Sequence, residues 1–188
     1  MPKITKPDTH TGDDGTTSTI QGIRINKNAP LIQAFGSIDE LNSAIGVVLA
    51  SDELPKDIIQ SLASIQNTLF HLGSDLDRHN SINEPSRLPQ IEKKHISELN
   101  DLIKNIYKEV GPLKNFTHPG GSKTGARLHM ARAICRRAER DVITLSHESK
   151  ISSLVISYLN RLSDTLFMMA RYENKRQNVS ENIWDSHE

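Results

Sequence analysis

One cysteine, Cys135, is present among 188 residues, so no internal disulfide can form and the sequence suits a reducing compartment. Metal-ligand spacings such as CxxC or HExxH are missing despite eight histidines, which gives no support to a structural zinc site. Neither sign of charge dominates, with 23 Lys and Arg against 23 Asp and Glu. Without a basic excess, non-specific nucleic-acid binding is not expected. No apolar run is long enough to span a bilayer, and no charged-then-apolar leader precedes Thr9. Neither a membrane anchor nor a secretory signal is therefore expected, and the cytoplasm is the default. What remains, 36% hydrophobic and 24% charged residues, is the make-up of one soluble globular domain with a full core.

Beyond a polar N-terminal segment, apolar residues recur at alternating steps of three and four, the period of an amphipathic helix. Five such stripes lie over residues 38–48, 58–72, 96–110, 128–145 and 155–169. Breaker residues separate them: Pro55, then "HNSINEPSRLP", then "GPLKNFTHPGGS". A short "IQGIRI" is the one stretch with a trace of alternating period. The pattern predicts an all-α five-helix bundle in a single domain spanning 1–188, with an N-terminal segment over 1–30, the bundle over 31–176 and a loosely held tail over 177–188.

Several polar residues exceed what a bundle needs. In "LHMARAICRRAERD", Arg132, Arg136 and Glu139 share a stripe beside the apolar one formed by Ala131, Cys135 and Ala138. A solvated face with helix ion pairs explains this pattern. A phosphate site explains it as well, because four arginines and no lysine stand in this stretch and a guanidinium fork suits bidentate phosphate recognition. In "YLNRLSDTLFMMAR", Asn160, Asp164, Phe167 and Arg171 share a second stripe, and a mid-helix Asn is a poor helix former unless its amide is used. Asp39 in "GSIDELNSAIG" is explained by the first turn of helix one, with Ser37 as its N-cap. The segment "THTGDDGTTS" has glycines that let backbone N–H groups converge and hydroxyls that donate, the makings of an anion nest. It is also what a mobile terminus looks like. Asp13 and Asp14 fit beside phosphate only if a divalent cation or a structural turn engages them.

Taken in order, "TGDDGTT", "AFGSIDELNSAIG", "FTHPGGS", "LHMARAICRRAER" and "YLNRLSDTLFMMAR" resemble the PduO-type ATP:cob(I)alamin adenosyltransferases from about Thr9 to Arg171. The resemblance implies a homotrimer of five-helix bundles with active sites between subunits. It implies a reaction in which cob(I)alamin attacks C5′ of ATP, expelling triphosphate and forming adenosylcobalamin. Mg²⁺, Lys27, Arg136, Arg137, Thr9, His10, Thr11, Gly12, Thr17 and Ser18 would then hold the triphosphate. Glu139 and Asn160 would orient the nucleotide, and Arg140 would complete its site. By the same resemblance Arg132 pairs with Asp39 of a neighbouring subunit, Asp164 lies near the corrin, and Phe116 displaces the axial ligand of cobalt. No metal ligand is assigned to the protein itself. An external reductase for Co(II) is implied, and an adenosylcobalamin-dependent client enzyme is a further candidate partner; neither nucleic acid nor membrane is expected. Three departures stand out: His10 where the family commonly has lysine, Leu31 where an arginine often follows proline, and the polar stretch "SKTGARLH". The competing reading is a non-catalytic helical module that binds a corrinoid or a nucleotide.

Overall fold

A computed structural model describes residues 10–19, 21–51, 54–77, 88–113 and 115–185. Five helices carry the chain: α1 (Pro30–Leu49), α2 (Lys56–Asp77), α3 (Lys93–Val110), α4 (Lys123–Ser146) and α5 (Ser153–Arg176). An antiparallel hairpin of β1 (Thr16–Ser18) and β2 (Arg24–Asn26) precedes them, with Thr17 opposite Ile25. The second half of "IQGIRI" thus does form a strand, and its partner is the hydroxyl-rich Thr16–Ser18.

The helix starts follow local chemistry. Ser122 caps α4 by accepting from the Gly125 N–H at 3.0 Å, and Ser152 caps α5 by accepting from the Leu154 N–H at 3.3 Å. At α3, Glu92 and His95 form a reciprocal capping box. Helix α1 begins at Pro30, eight residues before the apolar stripe, because proline at the first helical position has its φ already set and needs no amide partner. This corrects two expectations. Ser37 is not an N-cap but a buried mid-helix residue whose hydroxyl donates to the Gln33 carbonyl and to the Asp141 carboxylate. Asp39 consequently lies mid-helix, where the helix dipole gives it no support.

Helix α4 packs against α1 and α5, α5 against α3, and α1 against α2. The stripes meet in one core in which Leu41, Ile45, Leu62, Leu72, Leu128, Leu159 and Leu166 are fully buried. Cys135 belongs to it, its thiol donating to the Leu159 carbonyl at 3.3 Å. Burial pushes that thiol up well beyond its ordinary value, which keeps it protonated and inert.

The C-terminus departs from the expectation. Instead of a loose tail from residue 177, the chain is fastened as far as Trp184, with Asn182 and Trp184 bonded to the loop around Phe116 and Glu181 paired to Arg171. Periodicity registers only neighbours within a helix turn, so a pairing across more than sixty residues leaves no such trace.

Candidate active site

The hairpin resolves the role of the N-terminal carboxylates. Oδ1 of Asp14 accepts from the Thr16 N–H at 2.9 Å and from the Thr16 hydroxyl at 2.7 Å, a local turn that asparagine and aspartate favour. Those bonds, the hydroxyl one foremost, hold the Asp14 carboxyl below its usual range, with the Arg24 cation adding a smaller effect. Arg24 also donates to the Thr11 carbonyl at 2.6 Å and to the Thr16 hydroxyl. Asp14 therefore closes the turn. His10, in the left-handed region at φ 56°, lies 3.5 Å from Asp13, both side chains being exposed. The Lys27 N–H donates to the Gly15 carbonyl at 2.9 Å, and a Cβ on Gly12 would sit 3.1 Å from the Lys27 Nζ. Glycine at position 12 thus lets an ammonium rest against the turn. Thr11, Gly12 and Lys27 come together; Thr9 lies outside the described residues. Leu31 is buried in the core, so that departure from the family pattern serves packing.

A second group sits on α4 and α5. The Asn160 amide donates to Oε1 of Glu139 at 3.2 Å across the two helices, which explains an asparagine in the middle of α5. Arg136 and Arg140 are exposed on the same stretch of α4, and Arg140 donates to the Arg136 carbonyl at 3.1 Å. Arg137 does not join them within this chain. It points to α1 and pairs with Glu40, whose carboxylate raises its pKa.

Arg132, one turn earlier, holds its guanidinium carbon 5.6 Å above the Phe167 ring. Its Nε is buried with no partner among the described residues, and burial, followed by the Arg136 cation, lowers its pKa. No Arg132–Asp39 pair forms within the chain. Asp39 is exposed and lines a cavity of about 320 Å³ together with Ser18, Phe35, Ile38, Asn42 and Phe70. Asp164 pairs with Arg161 at 3.1 Å.

Phe116 is 77% exposed and meets the Trp184 ring edge-on, centroids 6.2 Å apart at 70°. Its loop is clamped by Asn174, whose Oδ1 accepts from the Ser122 N–H at 2.9 Å and the Ser122 hydroxyl at 3.0 Å, and whose amide donates to the Gly120 carbonyl at 3.1 Å. A Cβ on Gly121 or Gly125 would overlap Asn174, and Gly121 has φ 97°. This accounts for Ser122 and Gly125 in the "SKTGARLH" stretch, the one a cap serine and the other a glycine against a buried amide. Arg24, Asn174, Glu181 and Trp184 escaped sequence reasoning; apart from the helix period placing Arg171 and Asn174 on one face, nothing local signals them.

The class that these features define is a five-helix bundle carrying a cationic glycine and threonine turn, an arginine-rich ledge and an exposed aromatic on a glycine loop. The chain matches the cobalamin adenosyltransferase family over residues 8–173, and it belongs to that family. It is 38% identical to a cobalamin adenosyltransferase of Cupriavidus metallidurans over 97% of this chain and 95% of that protein. It is 37% identical to the corrinoid adenosyltransferase PduO of Citrobacter freundii over 88% of this chain, and spans only 49% of that relative's length. Among solved structures, a variant PduO-type ATP:corrinoid adenosyltransferase from Lactobacillus reuteri, complexed with cobalamin and ATP, superimposes with a TM-score of 0.90 at 32% identity, covering 96% of this chain and 97% of that one.

Proposed function

We propose that this chain transfers the 5′-deoxyadenosyl group of ATP to cob(I)alamin, giving adenosylcobalamin and triphosphate. Cobalt supplies the electron pair for the new Co–C bond, and the C5′–O bond breaks with its pair on the triphosphate. No protein base is needed, because the nucleophile carries no proton. The protein's task is to hold the nucleotide, absorb the leaving charge and keep water from the metal. Lys27, Arg136, Thr9, His10, Thr11, Thr17, Ser18 and the Gly12 amide serve the triphosphate, Arg137 joins them by exchanging Glu40 for phosphate, and Arg140 helps complete the nucleotide site. A preorganised donor of this kind is worth about a hundredfold to a thousandfold in rate. Glu139 and Asn160, already bonded to each other, orient the nucleotide.

Mg²⁺ travels with the phosphates, and Asp14 is engaged by its turn. When bound, the ion offsets phosphate charge. Phe116 displaces the axial ligand of Co(II), which makes the metal easier to reduce, and Asp164 lies near the corrin. The chain works as a homotrimer with sites between subunits. Arg132, whose Nε lacks a partner among the described residues, reaches Asp39 of a neighbour there, and exposed Val47, Phe70 and Met130 give apolar surface for association. The single buried thiol, Cys135, suits a cytoplasmic setting, with an external reductase and an adenosylcobalamin-dependent client as partners.

The observation that carries this reading is the Glu139–Asn160 bond beside Arg136 on an exposed face, in a chain of this family. Incubation with ATP, Mg²⁺ and chemically reduced cobalamin tests it, by the visible absorption of the Co–C bond. Binding of both substrates without that absorption would instead mark a non-catalytic module.

A further inference from the structure

We infer that Arg171 is a positioning residue for Phe116, acting through the C-terminal strap; the catalytic half of this inference rests on the reading above. Arg171 is 6% exposed, and a guanidinium so deeply placed must be paired. Its partners lie outside the helical bundle. Nε donates to both carboxylate oxygens of Glu181, at 2.9 and 3.3 Å, and Nη1 donates to the Gly111 carbonyl at 3.0 Å. One side chain thus ties α5 to the segment that leads into the Phe116 loop and to the strap that returns across it.

The strap then grips that loop at Phe116 and over the two residues after it. The Trp184 N–H donates to the Phe116 carbonyl and the His118 N–H donates to the Asn182 carbonyl, each at 2.8 Å, with Thr117 and Ile183 paired between them. The Trp184 ring meets the Phe116 ring edge-on. One turn beyond Arg171, Asn174 fixes the far end of the same loop at Gly120 and Ser122. A phenyl ring that is mostly exposed has little packing to set its position. Here the setting comes from backbone bonds to a strap, and the strap is held by Glu181 on Arg171. Groups that act on a reacting centre need such a supporting shell.

Trp184 is the sole tryptophan, so its fluorescence reports the strap with no substrate present. The test compares wild type with Glu181→Ala, with Glu181→Gln, which keeps an acceptor, and with Arg171→Met/Glu181→Ala, which leaves no buried charge unpaired and guards against simple unfolding. Two quantities are read: acrylamide quenching of Trp184, and the ratio of turnover starting from cob(II)alamin plus reductant to turnover from pre-reduced cob(I)alamin. Untying the strap should raise quenching and lower the ratio by about tenfold or more, the scale on which small misplacements act, while the KM for ATP stays within about twofold of wild type. Glu181→Gln should fall between. Wild-type quenching in Glu181→Ala and in the double variant overturns the latch. A loosened Trp184 with an unchanged ratio overturns its role in positioning Phe116, as does a lower melting temperature with no change in ratio. A wild type that makes no product from cob(I)alamin overturns the enzyme reading and the catalytic half of the inference together, while the quenching still decides whether Arg171 holds the strap.

Discussion

Asn174→Ala should unfasten the loop that joins Phe116 to α4. Asn174 is 2% exposed and makes three side-chain bonds, from Ser122 N–H, from the Ser122 hydroxyl and to the Gly120 carbonyl. The Ser122 hydroxyl loses an acceptor but is not orphaned, because its oxygen still accepts from the Gly125 N–H. The buried Ser122 N–H and the Gly120 carbonyl are, and a polar group orphaned in this way costs about 1–3 kcal/mol. Two such groups amount to about 3 kcal/mol, or a fall in melting temperature of about 6–12 °C for a chain of this size. Thermal unfolding followed by circular dichroism at fixed protein concentration measures it. Gly125→Ala supplies a second check. Its Cβ would overlap the Asn174 amide, so its cost should be large alone and largely vanish in the Asn174→Ala background. Melting of Asn174→Ala within about 2 °C of wild type, or a Gly125→Ala cost that is equal in both backgrounds, would refute the clamp.

Arg136→Ala should cost little stability, because the side chain is exposed, but about a hundredfold in turnover if it holds leaving phosphate; an unchanged rate would return it to an ordinary solvated face. In Phe116→Ala, ATP affinity should persist while the four-coordinate Co(II) signal in electron paramagnetic resonance disappears, and an undiminished signal would mean that another residue displaces the ligand. Arg132→Asp and Asp39→Arg should each weaken assembly, and the double variant should recover part of it in sedimentation; no recovery argues against direct pairing. His129 gives a pH dependence. It is buried with Nδ1 unpartnered among the described residues, and burial first, then the Arg132 cation, hold its pKa below the ordinary value. The unfolded chain therefore takes up the proton sooner as pH falls. Stability is intact above about pH 6.5 and declines as the pH drops from there toward the folded value. Melting temperature should fall less between about pH 7 and about pH 5 in His129→Gln than in wild type, and equal slopes would refute the assignment.

Helix number and core were legible because amphipathic period is a local property: the stripes over 38–48, 58–72, 96–110, 128–145 and 155–169 all end in the buried cluster. Helical spacing likewise put Arg136 with Glu139 on one face and Asn160 on another, but only the family resemblance joined them, and only the structure shows the Asn160 amide bonded to Glu139. Boundaries were less legible. The eight residues by which α1 extends past its stripe follow from Pro30, and that extension moved Ser37 inside the helix. Residue type alone carried the glycine and threonine turn, yet only the fold showed Asp14 closing it through Thr16 and Arg24. Tertiary structure alone decided which side Arg137 takes, that Asn174 clamps the Phe116 loop, and that Arg171 ties down a C-terminus that composition suggests is loose. These are pairings between groups 10 to 97 residues apart, from Arg171 with Glu181 through Ser122 with Asn174 to Glu40 with Arg137. A buried amide or guanidinium takes whichever partner the packed helices bring to it, and no spacing along the chain encodes that choice.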